Sequence, residues 1–176
     1  MLVLKRGFMH GIFRPEDPSW PSLLQIREQN AHNRRTVVWT NGCFDLLHAG
    51  HLRTLNAARA LGDLLIVGLN SDVSVRKIKG RDRPIIPAAE RAELLMSLRC
   101  VDAVVIFDEN TPENVIGQLK PDIYCKGADY APPHGVAIPE RKLIESYGGK
   151  IVFLPLMESV STTRIIERLR SGISLT

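Results

Sequence analysis

The sequence lacks the long apolar runs of membrane-spanning and exported proteins. No stretch approaches the roughly 20 apolar residues that a membrane span needs, and none is long enough for the core of a signal peptide. Cysteine is also scarce, since Cys43, Cys100 and Cys125 are an odd number in a chain of 176 residues. A chain of this length can bury a core without disulfides. We therefore expect a cytoplasmic protein with free thiols and no membrane partner.

The composition has no strong bias that would indicate a non-globular class. Hydrophobic residues make up 44% and charged residues 24%, which excludes a disordered chain, a collagen and a coiled coil. Most of the net charge of +4 falls in residues 1–35, which carry +3, while residues 36–176 carry +1. One basic cluster remains around Asp82, and it consists of Arg76, Lys77, Lys79, Arg81 and Arg83. A short basic segment in a nearly neutral body suits a phosphorylated small molecule better than nucleic acid.

Regular periodicity begins only at Thr36. Residues 1–35 contain Pro15, Pro18 and Pro21 and little apolar spacing. We expect them to form an irregular N-terminal arm, with at most a short helix at Leu23–Glu28. The remaining residues, 36–176, are then the functional domain.

From Thr36 onward, apolar strands alternate with helices. The five predicted strands are Thr36–Thr40, Leu64–Gly68, Ala103–Phe107, Asp122–Cys125 and Ile151–Leu154. The predicted helices are His51–Leu61, Ala88–Leu98, Pro112–Leu119, Pro139–Tyr147 and Ser161–Leu169, and Ser71–Pro87 is predicted as a basic loop. Continuously apolar strands between helices indicate an α/β fold, a single domain with a doubly wound five-stranded parallel sheet. Ligands bind such sheets beyond the carboxyl ends of the strands, so we expect the chemistry after the first, second, fourth and fifth strands.

Two common phosphate-binding motifs are absent. No GxxxxGK[ST] occurs, and no GxGxxG follows the first strand. Instead, His48 and His51 flank Gly50 where the first predicted helix begins. A helix N-terminus offers free N–H groups and positive partial charge, and two imidazoles beside it can stabilise phosphate charge. From the residues alone, the histidines could also be a surface pair or two zinc ligands.

The wider motif resembles a known signature. The pattern G-x-F-D-x-x-H-x-G-H is similar to that of the cytidylyltransferase-like nucleotidyltransferase superfamily. Further segments match it in order, so that the resemblance covers about residues 36–170. The signature residues are Gly42, Phe44, Asp45, His48, Gly50 and His51, and the further segments are Asn70–Asp72, Lys77–Gly80, Arg83–Pro84, Glu90–Arg91, Lys126–Tyr130 and Ser161–Ile166.

Within the superfamily, the chain most resembles the D-glycero-manno-heptose 1-phosphate adenylyltransferase group. That activity occurs as one half of a bifunctional ADP-heptose synthase and as a separate protein; since 176 residues leave no room for a sugar kinase half, the chain resembles the stand-alone form. The resemblance implies transfer of AMP from ATP to D-glycero-D-manno-heptose 1-phosphate, giving ADP-heptose and pyrophosphate for lipopolysaccharide core or related surface-glycan precursors. It leaves open a cytidylyl- or guanylyltransferase for another sugar or polyol phosphate, or a catalytically silent nucleotide-binding regulator.

The resemblance also implies roles for individual residues. Arg91 is expected to reach the β- and γ-phosphates and Asp129 the ribose hydroxyls. Mg²⁺ is expected to arrive with ATP and to need few protein ligands, none of which the sequence identifies, and a homodimer is expected by analogy. The catalytic residues would be His48, His51 and Lys79; the nucleotide-binding residues Asn41, Gly42, Phe44, Asp45, Gly50, Arg91, Lys126, Gly127, Asp129, Ser161, Thr162 and Thr163; and the substrate-binding residues Asp72, Lys77 and Arg83.

Three positions depart from the group's pattern. Ser159 stands where the family often has glycine. Ala128 replaces a common glycine in the K-G-x-D-Y turn, which tests whether that turn needs a positive φ. The stretch Leu156–Glu158 lacks the arginine that glycerol-phosphate cytidylyltransferases carry there, which argues against a cytidylyltransferase.

Overall fold

The computed structural model describes residues 3–5, 8–133, 135–155 and 161–171. These residues form one seven-stranded sheet with helices packed against it. The strands are β1 (Val3–Lys5), β2 (Phe8–Phe13), β3 (Val37–Gly42), β4 (Leu64–Asn70), β5 (Ala103–Phe107), β6 (Ile123–Gly127) and β7 (Lys150–Leu154). The helices are α1 (Trp20–His32), α2 (Ala49–Arg59), α3 (Asp72–Lys79), α4 (Ala88–Met96), α5 (Glu113–Leu119), α6 (Arg141–Ser146) and α7 (Thr162–Arg170), with a 3₁₀ turn at Ala128–Tyr130.

The sheet confirms the predicted parallel α/β arrangement. Its strand order is β1-β2-β5-β4-β3-β6-β7. Only the β1–β2 pair is antiparallel, and the pairings from β2 to β7 are all parallel. Every residue of β4 and β5 is buried, because helices cover both faces of the central strands.

The prediction of five parallel strands is wrong, because the N-terminal segment supplies a sixth. The expected irregular arm instead contains β2, which pairs with β5 through Gly11–Phe13, and the 13-residue helix α1. Pro21 lies in the first turn of α1, where the missing N–H removes no helical hydrogen bond. Helix α1 is anchored by Trp20, which is buried and donates from Nε1 to Gln118 Oε1 at 2.8 Å.

The expected loop at Ser71–Pro87 is also corrected. Its first half is helix α3, which begins after Ser71, whose Oγ accepts a hydrogen bond from the Ser74 backbone at 3.3 Å. Val75 is fully buried and fixes this helix to the sheet. Gly80 ends the helix with φ +96°. The basic residues Arg76, Lys77 and Lys79 therefore lie on a helix rather than on a flexible turn.

Hydrophobic clusters fill both faces of the sheet. One contains Trp39, which is fully buried among β3 and its neighbours, together with Trp20 of α1. The other contains Leu55 of α2 and Leu95 of α4. All three cysteines are free. Within the described ranges, no helix is long and apolar enough to cross a membrane.

Replacing Gly68 with alanine is expected to lower the free energy of unfolding by about 1–3 kcal/mol. A Cβ at this position in β4 would overlap the indole of the fully buried Trp39 and lie 2.9 Å from the Asn41 Cβ. Urea denaturation monitored by circular dichroism measures the change.

A matched control for this substitution lies in α5. A Cβ on Gly117 would meet only Leu143 Cδ2, at 3.9 Å, so Gly117→Ala is expected to stabilise the helix by up to about 1 kcal/mol. Equal stability for the two variants would contradict the close packing of Trp39 against β4.

Candidate active site

Two adjacent cavities open at the carboxyl ends of the parallel strands. The larger has a volume of about 500 Å³ and the smaller about 210 Å³. Residues from the ends of β3 and β6, the start of α2 and the 3₁₀ turn line both. The shared residues are Asn41, Gly42, Cys43, Phe44, His51, Lys126 and Tyr130. Since parallel strands direct their carboxyl ends to one edge of the sheet, this is where a ligand is expected.

The turn between β3 and α2 is compact. Phe44 is buried and has φ +45°, a backbone conformation that bulky residues rarely adopt. A Cβ on Gly42 would lie 3.3 Å from the Phe44 ring, so glycine lets that ring fold back over the strand end. The same ring contacts His51 edge-on, with centroids 5.2 Å apart. The signature glycine and phenylalanine thus set the position of the histidine.

The two signature histidines lie together at the N-terminus of α2. Their rings stack with centroids 3.8 Å apart and planes 19° from parallel. His48 is the N-cap, and its Nδ1 accepts from the His51 backbone N–H at 3.3 Å. An accepting Nδ1 places the proton of the neutral His48 ring on Nε2. Only His51 of this pair lines the cavities.

Both imidazoles favour the neutral form without a ligand. Burial lowers the pKa of His48. Burial, with the neighbouring His48, lowers the pKa of His51 to about 4, although a backbone hydrogen bond to Leu46 acts in the opposite direction. Negative phosphate charge beside the rings would favour their protonation. The histidine pair can therefore take up a proton when an anion binds.

Asp45 holds the loop that follows α3. Its side chain is fully buried, Oδ2 binds Arg83 Nε, and Oδ1 accepts from the Ile85 and Ile86 backbones at 2.8 and 2.9 Å. Burial by itself raises the pKa of Asp45, but the two backbone N–H groups and the Arg83 guanidinium outweigh it and the pKa is lowered. Both carboxylate oxygens are therefore engaged within the protein.

Arg91 is placed in the core rather than in the cavities. It is fully buried, and it donates to the Cys43 carbonyl, to the Ile86 carbonyl at 2.8 Å and to the Asn70 carbonyl at 2.9 Å. Its Nη2 donates to Asp72 Oδ1 at 2.7 Å. This geometry does not support the predicted contact of Arg91 with the β- and γ-phosphates, because its guanidinium already donates to four acceptors within the protein.

The substrate-binding residues expected in the basic segment occupy different places. Asp72 is bound to Arg91 and accepts from the Ala88 backbone at 2.9 Å, which fixes the start of α4. Lys79 and Arg83 line the larger cavity. Lys77 is exposed on α3 and lies outside the lining of both cavities. Burial raises the pKa of the Cys43 thiol against the opposing charge of Lys79, so Cys43 is a weak nucleophile at neutral pH.

The K-G-x-D-Y segment forms the end of β6 and the 3₁₀ turn. Gly127 and Asp129 line the smaller cavity, and Lys126 lines both. Lys126 Nζ donates to Asn41 Oδ1 at 3.2 Å. Ala128 is not among the described residues with positive φ, so this turn accepts alanine without backbone strain.

Helix α7 directs its N-terminus at the larger cavity. The predicted cap is confirmed: Ser161 Oγ accepts from the Arg164 backbone at 3.2 Å. Thr162 and Thr163 line the larger cavity. Gly50 is buried in the first turn of α2 and lines neither cavity. The departures at Leu156–Glu158 and Ser159 lie outside the described residues.

Several lining residues were not predicted. Asn70, the last residue of β4, and Asn110–Pro112, in the turn after β5, line the larger cavity. The rule that ligands bind beyond the carboxyl ends of parallel strands would have predicted Asn110–Pro112 if it had been applied to the turn after β5. Glu140 also lines this cavity although it is 1% exposed, and no local pattern indicated it.

No group of three or more His, Cys, Asp or Glu side chains suited to a metal ion occurs in the part of the chain that the structure describes. A zinc site built on the histidine pair is therefore not supported.

Comparisons with known proteins agree with this geometry. The chain is 51% identical over 148 residues to a bifunctional protein HldE from Syntrophotalea carbinolica, covering 84% of this chain and 30% of that protein. It is 53% identical over 143 residues to the HldE of Pelobacter propionicus, covering 81% and 28%. The chain thus spans about 30% of the length of these curated relatives.

A solved structure and a family model also match this chain. The crystal structure of a lipopolysaccharide core biosynthesis protein from Thermoplasma volcanium superposes with a TM-score of 0.56 at 27% identity, covering 72% of this chain and 99% of that one. The model of the cytidylyltransferase-like family matches residues 39–168, a range that begins in β3 and ends in α7. The chain belongs to the cytidylyltransferase-like family.

Proposed function

We propose that the chain transfers AMP from ATP to D-glycero-D-manno-heptose 1-phosphate, giving ADP-heptose and pyrophosphate. A phosphate oxygen of the sugar attacks the α-phosphorus of ATP, the bond to the β-phosphate breaks, and pyrophosphate leaves. Such a reaction needs positioning and charge neutralisation rather than a protein nucleophile. The product would supply lipopolysaccharide core or related surface-glycan synthesis.

The observation that carries the proposal is the pair of cavities around His51. Lys79, Arg83 and Lys126 bring positive charge to the larger cavity, and Thr162 and Thr163 bring the N-terminus of α7 to it. A cavity of about 500 Å³ lies in the range of small-molecule sites. The similarity to the HldE proteins over more than four fifths of this chain supports the choice of substrates.

Each group has a role that its position allows. His51 and Lys79 would stabilise charge on the phosphates, with His48 holding the His51 backbone and ring. The free N–H groups of α7 would bind phosphate oxygens, and Asp129 would accept from the ribose hydroxyls in the smaller cavity. Asp45 and Arg91 would act as positioning residues for Arg83 and for the strand ends. Asn41, Gly42, Phe44, Gly127, Lys126 and the cap Ser161 would shape the nucleotide pocket.

Mg²⁺ belongs to the proposal as a companion of ATP. When bound, it neutralises phosphate charge. The residues nearest to that charge on the protein side would be Thr162, Thr163 and Lys79, which line the larger cavity. Asp72 and Lys77, which were expected to bind the sugar phosphate, would act on it without direct contact. Asp72 would act by holding Arg91, and Lys77 would act through its positive charge on α3.

Three further expectations belong to the same proposal. Residues 36–176 would be the catalytic domain, with the N-terminal segment completing its sheet through β2. The protein would work in the cytoplasm, with ATP and a sugar 1-phosphate rather than nucleic acid or membrane as partners. It would act as a homodimer.

A pyrophosphate-release assay tests the reaction. ATP, CTP, GTP and UTP are each combined with α- and β-heptose 1-phosphate, glycerol 3-phosphate and phosphopantetheine. We expect turnover with ATP and one heptose 1-phosphate anomer. Turnover only with CTP and glycerol 3-phosphate would replace the proposal with a cytidylyltransferase, and ATP binding without turnover on any acceptor would indicate a regulator.

Replacing Asp129 with alanine is expected to raise the apparent KM for the nucleotide roughly tenfold or more, the loss of a hydrogen bond to a charged group. The turn itself should persist, because the Asp129 carbonyl, not its carboxylate, accepts from the Val136 backbone at 3.0 Å. Steady-state kinetics and thermal melting are compared with those of Asp108→Ala, an exposed carboxylate after β5. A lower melting temperature with an unchanged KM would assign Asp129 to the turn alone.

A further inference from the structure

Glu140 is a buried acid in a cavity that otherwise presents positive charge. It precedes α6, lines the larger cavity and is 1% exposed. Its Oε2 is buried without a hydrogen-bond partner, and its side chain makes no capping hydrogen bond to α6. A buried charge of this kind is strongly unfavourable unless an opposite charge compensates it.

A cation that lines the same cavity and feels the charge of Glu140 is Lys126. Its ammonium lies 4.9 Å from the centroid of the Tyr130 ring and 5.2 Å from that of Tyr124, while Asn41 Oδ1 accepts from it at 3.2 Å. Two aromatic faces and an amide oxygen give a cation a defined place. They supply partial charge only, so a full negative charge is still needed to balance the ammonium.

Glu140 is connected to this place through Tyr124. The Tyr124 hydroxyl donates to Asn41 Oδ1 at 3.0 Å, so Tyr124 and Lys126 share one acceptor. Burial, reinforced by the charge of Glu140, raises the pKa of Tyr124. Glu140, Asn41 and Lys126 in the wall of the larger cavity thus form one polar cluster with the buried Tyr124.

Charges from each neighbouring element act on Lys126. Burial lowers the pKa of Lys126, whereas Glu140 before α6, and then Asp129 on the 3₁₀ turn, act in the opposite direction. Tyr124 on β6 and Tyr130 on the turn stay neutral, since burial raises the pKa of both. Asn41 on β3 is uncharged, and burial also raises the pKa of Cys43 at the end of that strand.

We propose that Glu140 is a positioning residue that keeps the Lys126 ammonium charged and fixed between the two cavities, where a phosphate oxygen of the nucleotide accepts from it. This inference rests on the proposed function. Glu140 itself would repel a phosphate, but it is 1% exposed in the wall of the larger cavity, whereas Lys126 lines both cavities. The ammonium is therefore the more accessible of the two charges to an incoming nucleotide.

The test measures ATP affinity against pH, without turnover, for the full chain and Glu140→Gln. Glutamine keeps the shape and removes the charge. We expect the alkaline loss of ATP affinity to begin at lower pH in E140Q, and the affinity on the alkaline side of that transition to fall by up to about tenfold for each unit by which the pKa of Lys126 decreases. Glu140→Asp should restore part of the loss. Glu145→Gln is the control, because Glu145 is an exposed acid on α6 paired with Arg141.

A Lys126→Ala background separates the possible causes. If Glu140 acts through Lys126, E140Q has no further effect on ATP affinity there. Unchanged affinity at every pH with a lower melting temperature would overturn the inference and leave Glu140 a structural residue. A weaker affinity for the sugar phosphate alone would overturn it in favour of Glu140 as a ligand of the acceptor. Failure of the wild-type chain to bind ATP at any pH would instead reject the proposed function.

Discussion

Replacement of His51 by alanine is expected to lower kcat by about two orders of magnitude or more, the effect of removing a group that stabilises transition-state charge. His51 is the signature histidine that lines both cavities, and its ring is held by stacking on His48 and by the Phe44 edge. If His51 contacts the phosphates only in the transition state, kcat and kcat/KM should fall by the same factor. The pyrophosphate-release assay with ATP and heptose 1-phosphate measures both.

The variants around His51 distinguish chemistry from structure. His32→Ala, at the exposed end of α1, should leave the rate unchanged. His51→Asn keeps an N–H donor and should retain part of the rate. His48→Ala removes the Nδ1 acceptor of the His51 backbone N–H, so it should lower kcat and also loosen the start of α2. A His51→Ala enzyme with a rate near that of the wild type would refute the role of the pair.

The local features of the fold were predictable from the sequence. The signature glycine, phenylalanine and histidines lie within one turn and one helix start, so their arrangement depends on short-range geometry. Strands such as β4 carry a continuous apolar run that indicates burial on both faces. The Ser161 cap was predictable for the same reason, since a cap depends on a few neighbouring residues.

The missed features depend on contacts between distant segments. Strand β2 reaches the sheet only by pairing with β5, some ninety residues later, and the three prolines that follow it in the N-terminal segment suggested an irregular arm. The local sequence around Arg91 is typical of a surface cation on a helix. In the folded protein, however, its guanidinium donates to the carbonyls of Cys43, Asn70 and Ile86. Glu140 shows its burial only once β6 and the 3₁₀ turn are packed beside it. Tertiary packing, which sequence periodicity does not encode, decides these cases.

Replacement of Arg91 by alanine is expected to lower the free energy of unfolding by about 3–5 kcal/mol, because it removes the fully buried partner of an ion pair with the partly exposed Asp72 and leaves three carbonyls without this donor. The fully buried guanidinium donates to three carbonyls and to Asp72. Without it, the carbonyls lose their donor and Asp72 its counter-charge. Since domains of this kind have a total stability of roughly 5–15 kcal/mol, urea denaturation should show a large shift of the midpoint.

Two further variants identify the cause of that loss. Arg91→Lys keeps the charge but cannot reach the acceptors after β3, on β4, on α3 and in the loop after α3 at once, so we expect it to recover only part of the stability. Arg53→Ala, an exposed cation on α2, should leave the midpoint unchanged. If Arg91→Ala instead kept full stability and raised only the KM for ATP, the guanidinium would be contacting phosphate. The expected result assigns Arg91 to the joint between the ends of β3 and β4, through which the fold fixes the position of the histidine pair.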